Sequence, residues 1–526
     1  MTFKNKTSDW TKDMIRLVCL LSALLICNPG FAQDADQLFQ THCASCHNPD
    51  RLGAMGPALL PENLGRLKKT EAAKVIAQGR AATQMPAFAG KLSPEQIQSL
   101  MAYIYTPPSS MPVWDAAAIK QSHVVQYQPG SLPDKLVFDA DPMNLFIVVE
   151  LGDHHATLLD GDRLLPIHRF KTRFALHGGP KYSPDGRYVY FASRDGWISK
   201  YDIYNLKTVA EIRAGINTRN LAVSHDGRFV LVGNYLPHTL VLLDARDLSL
   251  MKIIPVQDDR GHSSRVSAVY TAPPRKSFIV ALKDIPEVWE IPYNEDADPI
   301  YPGYVHDYKM GEGIAIKGQF GIRRVKLDDY LDDFFFDQNY TYLIGAARNA
   351  KNGQVINLIV GRKIADVELT GMPHLGSGIT WQVDGRTVLA TPNLKSGEIS
   401  IIDMQTWKTI KRIKTDGPGF FMRSHPQSPY VWVDVFFGPH RDEVHIIDKQ
   451  KLAIVKTLRP VPGKTSAHVE FDRYGKYALL SIWDMDGAVI IYDARTLQEI
   501  KRLPMVKPSG KYNVYNKTHY EEGTSH

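Results

Sequence analysis

Apolar positions divide the chain into three unlike stretches. Residues Leu17 to Cys27 form an apolar run, interrupted only by Ser22, behind Lys4, Lys6, Lys12 and Arg16. Between 33 and 110 the apolar residues recur at helical spacing, most clearly Ile97, Leu100, Met101 and Ile104. Ser93-Pro94-Glu95-Gln96 precedes them, with serine as N-cap, proline at the first helical position and glutamine three residues after the cap. Thr70 to Gly79 predicts a second helix, and Asp36-Gln37-Leu38-Phe39 opens an earlier one. Pro107-Pro108-Ser109-Ser110 ends this unit. Beyond about residue 130 helical spacing gives way to short β-rich runs, such as Tyr188-Val189-Tyr190-Phe191, with Asp-Gly turns between them. Strands of alternating apolar and polar residues are expected there.

These runs repeat. Each unit reads as a turn, a β-rich run, a loop and a second β-rich run ending in aspartate. It occurs from Asp139 to Asp160, from Ser183-Pro184-Asp185-Gly186 to Asp202, and from Ser224-His225-Asp226-Gly227 to Asp244. Degenerate copies start at Pro273 and Phe336. Three more run from Val383-Asp384-Gly385 to Asp403, from His425-Pro426-Gln427-Ser428 to Asp448, and from Asp472-Arg473-Tyr474-Gly475 to Asp493. A period of about 40–45 residues with four short strands per unit marks propeller blades. The expected architecture is a small all-α domain over 33–110, then an all-β eight-bladed propeller over 125–526. A longer spacing between the fourth and fifth copies leaves Pro292 to Asp329, including Gly311-Glu312-Gly313-Ile314-Ala315, as a lid over one face or a plain surface insertion.

The N-terminal apolar run is too short to span a bilayer, which takes roughly 20 residues. With the small-residue end Gly30-Phe31-Ala32, it reads as an export signal over 1–32, cleaved after Ala32. Its loss takes the formal charge from +6 to +4, because it carries four basic and two acidic residues. That mild charge, without a basic tract, excludes a nucleic-acid partner. No second apolar stretch is long enough to cross a membrane, so a soluble periplasmic product is expected.

Of the four cysteines, Cys19 and Cys27 fall within the signal. The other two stand in Cys43-Ala44-Ser45-Cys46-His47, the attachment signature of c-type haem. Two thiols on one helical turn reach the two haem vinyls, and His47 becomes an axial ligand. Met85, in Gln84-Met85-Pro86-Ala87-Phe88, suits the opposite side of the iron. A Cys43–Cys46 disulfide is the alternative in an oxidising compartment. Three helices around one haem is the small cytochrome c pattern.

A c-haem domain followed by an eight-bladed propeller resembles the cytochrome cd1 family, whose propeller holds haem d1. The segments that carry the resemblance are Arg173-Phe174-Ala175-Leu176-His177, Ser193-Arg194-Asp195-Gly196, Gly233-Asn234-Tyr235-Leu236-Pro237, Ala346-Ala347-Arg348-Asn349-Ala350, Met372-Pro373-His374-Leu375-Gly376, Ser424-His425-Pro426 and Gly510-Lys511-Tyr512-Asn513. The resemblance implies His177 as proximal ligand of the tetrapyrrole iron. It implies Arg194, Arg219 and Arg265 on the tetrapyrrole carboxylates, with Arg173 and Tyr235 in the same cofactor-binding set.

The departures narrow the resemblance. Nitrite-reducing members carry two distal histidines. His374 matches the second, but Asp329-Tyr330-Leu331-Asp332-Asp333 holds none for the first, and Asp332 or a neighbour takes its place. A lone histidine flanked by carboxylates is poorly suited to an anion. Instead the chain has His468, in Ser466-Ala467-His468-Val469-Glu470, and Tyr512 about one blade further on. A histidine base with a tyrosine partner suits proton removal from a side chain of the ring. This resembles the dihydro-haem d1 dehydrogenase branch, which oxidises a propionate to acrylate in the last step of haem d1 biosynthesis. The implied partners are dihydro-haem d1, a soluble periplasmic electron acceptor and a cytochrome cd1 nitrite reductase. The expected catalytic residues are His468 and Tyr512, with His374 as the alternative base. A nitrite reductase forming nitric oxide, and a haem d1 carrier or insertion factor, stay open as other functions.

Overall fold

The computed structural model describes residues 30–54, 56–65, 67–79, 85–110, 112–301, 315–347, 351–369 and 371–519. Most of the expected export signal, the glycine-rich centre of the insertion and Arg348-Asn349-Ala350 lie outside these residues. The described residues divide into two compact units, one ending at residue 110 and the other beginning after it.

The first unit is helical: α1 spans Gly30–His42, α2 Ala44–His47, α3 Pro61–Leu64, α4 Lys69–Gln78 and α5 Pro94–Ile104. Ser93 caps α5 as its sequence requires, in a complete capping box with Gln96. The first helix begins well before Asp36. Phe39, Leu64, Ile76, Phe88, Leu92, Ile97, Leu100 and Ile104 close on one core, with Cys43 and Met85 packed against it.

The second unit holds eight antiparallel sheets, seven of four strands and one of five. In seven sheets the blade's own strands follow in chain order. The eighth is shared by both ends of the chain: Pro508–Asn513 pairs with Leu145–Glu150, the register placing Tyr512 opposite Ile147 and Lys511 opposite Val148. That strand completes the first blade and closes the ring by joining the two ends of the chain in one sheet. Residues ahead of 125 also belong to this unit. Trp114 Nε1 donates to Arg213 O at 3.0 Å, and His123 Nε2 lies 2.7 Å from Asp247 O.

The aspartate that ends each repeat has a local reason. Its carboxylate accepts the backbone N–H groups two and three residues on, as Asp160 does from Asp162 and Arg163, Asp403 from Gln405 and Thr406, and Asp493 from Arg495 and Thr496. These turns tie the third strand to the fourth in the blades that carry them; the fifth blade uses Asn357 in the same way, and in the fourth the insertion makes the connection. The expected alternation, by contrast, holds only at the rim. The outer strand Arg362–Val367 alternates, whereas Leu145–Glu150, Ser277–Leu282 and Ser466–Phe471 are buried throughout. Each blade is covered on both faces by its neighbours, so its inner strands have no solvent side.

The insertion after Glu287–Pro292 precedes the outer strand Arg323–Lys326 of the fourth blade. Its described ends pack on the turn 224–228: the Tyr293 hydroxyl accepts the His225 N–H at 3.2 Å, and Arg228 pairs with Glu295 at 2.8 Å. That turn is the far end of the strand Asn217–Val223, which begins near Arg219. The insertion therefore leaves the propeller on the face away from Arg219, which corrects the lid reading for its described ends. Among the described residues no helix is long and apolar enough to cross a membrane.

Candidate functional site

In the first unit the helical path continues through Cys43, and its carbonyl accepts the N–H groups of Cys46 at 3.1 Å and His47 at 2.9 Å. Both cysteines are free thiols, and burial, with the neighbouring Cys46, pushes the Cys43 thiol up to about 11. The His47 Nδ1–H donates to Pro57 O at 2.8 Å, which puts the ring's lone pair on Nε2. Burial lowers its pKa and keeps the imidazole neutral, the form that binds a metal. The ring lies flat on Gly56, where a Cβ would stand 2.7 Å from Cε1. The Met85 segment crosses Gly79, whose φ of +72° and lack of a side chain permit the approach. Phe88 N–H bonds to Ile76 O and Ala77 O secure the same segment to α4. Two thiols, a pre-aimed imidazole and a thioether on one apolar core fit a covalent haem.

In the propeller, the chemistry gathers where the inner strands begin. The His177 Nδ1–H donates to Arg219 O at 2.7 Å, so its lone pair is on Nε2, the tautomer an iron ligand needs. The Arg219 guanidinium lies 3.3 Å from the same ring and donates to Ser267 O at 2.7 Å. Arg194 is half-buried nearby; its backbone bonds Ala175 O and accepts from Thr218 N. Tyr235 and Arg265 meet at 5.7 Å, but Asp284 already holds Arg265 through both carboxylate oxygens. Arg173, also expected in the cofactor set, is engaged with other groups. It follows the outer strand Leu165–Lys171, binds Glu211 at 2.9 and 2.7 Å, and stacks 3.8 Å over Trp197. There it lines a flank cleft of about 460 Å³ with Phe170, Tyr201 and Lys207.

His374 donates from Nδ1 to Phe420 O at 2.6 Å and points Nε2 at Asp333 Oδ2, 3.7 Å away. The carboxylate beside it is thus Asp333, whereas Asp332 is taken by Lys283. Asp333 is itself fixed by the Tyr270 hydroxyl and the Gly376 N–H, each at 3.0 Å.

His468 occupies a bulge between Ala467 and Val469, with φ at +52°. A histidine pays a steric penalty in that left-handed region, of order 1–3 kcal/mol, and needs holding there. Asp434 accepts its N–H at 3.1 Å, and the buried Lys511 ammonium donates to its carbonyl. The same Asp434 carboxylate accepts the N–H groups of Phe420 and Phe421 at 2.8 and 3.0 Å. One aspartate therefore positions the His374 and His468 segments together. The His468 ring lies 4.7 Å from Phe421 and 5.2 Å from Tyr512. Tyr512 in turn packs on Gly179, two residues past His177, where a Cβ would stand 2.8 Å from its ring.

The sequence reading missed the cations. Arg423, Lys181, Lys511 and Lys517 surround these rings, with Glu470 pairing Lys517 at 3.7 Å. Burial pushes Lys511 and Lys517 down to about 7 and Lys181 to about 8. Burial, then Lys511, Arg423 and Lys517, holds His468 well below its usual range. Crowded cations with depressed pKa values are the signature of a pocket built for an anionic ligand. A tetrapyrrole bearing carboxylates fits them. Arg423 did leave a trace in the sequence, because the copies carry Tyr182, Val223 and Phe471 at its position before the turn.

Residues 140–309 and 315–517 match the Cytochrome D1 heme domain family, and residues 30–104 match the family described as cytochrome C oxidase, cbb3-type, subunit III. The chain is 57% identical over 514 residues to a dihydro-heme d1 dehydrogenase of Pseudomonas aeruginosa, covering 97% of this chain and 100% of that one. It is 25% identical over 534 residues to a nitrite reductase of Stutzerimonas stutzeri, covering 91% and 92%. A solved structure of dihydro-heme d1 dehydrogenase NirN in complex with DHE superposes with a TM-score of 0.86 at 57% identity, covering 92% of this chain and all of that one. With its propeller matched from end to end, the chain belongs to the Cytochrome D1 heme domain family.

Proposed function

We propose that this protein is a dihydro-haem d1 dehydrogenase, an oxidoreductase that turns one propionate of the d1 precursor into an acrylate. The observation that carries the reading is His468, clamped by Asp434 and Lys511 in a left-handed bulge beside Tyr512, within a ring of buried cations.

Forming the acrylate removes two hydrogens from a CH2–CH2 unit, as two protons and two electrons. Cys43, Cys46, His47 and Met85 would hold a covalent haem, which when bound would supply one-electron transfer for the two electrons. His177 and Arg219 orient the macrocycle, and Arg423, Lys511 and Lys517 attract its carboxylates. His468 takes one proton from the propionate chain, and the second is released to solvent. Its Nδ1 meets only a long 3.4 Å contact from the Lys511 N–H, so its tautomer is not locked as those of His177 and His374 are. Substrate carboxylates add the negative charge that raises a depressed imidazole pKa toward neutrality, which makes it a better base at the moment of reaction. Tyr512, pushed up to about 12 by burial, stays a neutral hydroxyl that can orient base or substrate.

Asp333 beside His374 argues against nitrite reduction, since a carboxylate 3.7 Å from the distal nitrogen repels an anion there. The haem-binding motif argues against a pure carrier, because holding a ligand needs no redox centre. The domains are assigned as an export signal over 1–32, a cytochrome c domain over 33–110 and the d1 propeller over 125–526, with the working compartment the periplasm. Partners follow from the chemistry: dihydro-haem d1, a small electron acceptor, and a cytochrome cd1 reductase that receives the product. Anaerobic addition of dihydro-haem d1 to the oxidised holoprotein tests the reading. Product lighter by two hydrogens and a reduced c-haem spectrum are expected. Unchanged substrate, or nitric oxide from reduced protein and nitrite, would overturn it.

A further inference from the structure

A second cluster of ligating groups lies in the seventh blade. His445 begins the strand Val444–Asp448, and its side chain is 1% exposed. Its Nδ1 lies 2.8 Å from Thr457 Oγ1, to which it donates, because the Asp416 N–H donates to Nε2 and so places the lone pair there. That nitrogen lies 3.4 Å from Asp416 Oδ2. It also receives the Asp416 N–H at 3.2 Å, a long bond that a stronger electrophile would displace. The ligand atoms of Asp416, Glu443 and His445 all lie within 4.8 Å of one another. His440 Nδ1 sits 3.0 Å from Glu443 Oε1 and orients that carboxylate.

An imidazole lone pair facing a carboxylate oxygen is a contact between two acceptors. The Asp416 N–H satisfies the nitrogen in part, and a cation shared between nitrogen and carboxylate would make the contact attractive. One imidazole nitrogen with two carboxylates suits a borderline divalent ion better than calcium or magnesium, which prefer an all-oxygen shell.

We propose that Asp416, Glu443 and His445 bind a divalent cation of the zinc class, at a site apart from the tetrapyrrole pocket. The site has a structural consequence. Asp416 lies on the same short loop as Phe420, whose carbonyl holds His374, and Phe421, whose ring packs on His468. A metal on Asp416 ties that loop to the seventh blade and limits its motion.

Equilibrium dialysis of the chelator-stripped holoprotein against zinc chloride, with zinc counted by atomic absorption, tests the site. One zinc per chain is expected, and Asp416→Asn weakens it by at least ~10-fold. Asp416 is more than half exposed, so that variant keeps the fold; an unchanged melting temperature without zinc checks this. Zinc is also expected to slow amide exchange over residues 416–421 in the wild type and not in Asp416→Asn. Sub-stoichiometric zinc, equal zinc in both proteins, or unaltered exchange in the wild type would overturn the proposal.

Discussion

The His468 and Tyr512 rings lie 5.2 Å apart, one on the innermost strand of the eighth blade and the other on the C-terminal strand that completes the first. Ring closure is what makes them neighbours. If His468 is the base, its removal should abolish chemistry and leave binding. Asparagine tolerates the left-handed backbone at this position better than alanine. His468→Asn is expected to lower kcat at least ~100-fold with KM little changed. Single-turnover spectra with dihydro-haem d1 measure this; a normal rate would remove His468 from the reaction.

Arg423 is buried at the centre of the cation set and depresses His468 and Lys517. Arg423→Gln removes a charge-assisted contact to the substrate, worth roughly 1.5–3 kcal/mol, so KM should rise about tenfold or more. The same change lets the His468 pKa rise, which moves the acidic limb of the kcat profile to higher pH. A variant that merely loosened the fold would not move that limb.

Substrate affinity should fall with rising pH. Lys511 and Lys517 have pKa values of about 7. Below pH 7 both are ammonium groups and attract carboxylates; above it both lose that charge. Binding at pH 8 must therefore take up protons. Affinity is expected to drop by up to ~10-fold per pH unit for each lysine that must be charged. Titration calorimetry in buffers of different ionisation enthalpy, between pH 6 and 8.5, measures the proton uptake directly.

The haem site makes a prediction that needs no d1 substrate. A methyl at residue 56 would stand 2.7 Å from His47 Cε1. Gly56→Ala should rotate or displace the imidazole and shift the c-haem potential or impair haem attachment, read by redox titration and the pyridine haemochrome spectrum. Met85→Ala should lower that potential, which favours the oxidised haem and weakens the driving force for electrons to enter it.

Much of this was legible from residue order. The Cys43-Ala44-Ser45-Cys46-His47 motif, the Ser93 cap and the repeated aspartate turns are local devices, because each acts within a few residues of chain. Local rules misled where burial is set by neighbours. The inner strands do not alternate, since flanking blades cover both faces. Nor does residue order show that the Arg173 guanidinium is engaged with Glu211.

Residue order alone determined the haem-binding motif and the eightfold repeat, because these rest on short-range geometry and period, while the histidines worth testing came from the family resemblance. Only the folded ring decided which groups share a pocket. Arg423, Lys511 and Lys517 come from three separate strands or helices, and Asp434 reaches two segments far from it in the chain. Their charges act through space, across distances that sequence separation does not measure, and burial multiplies that action.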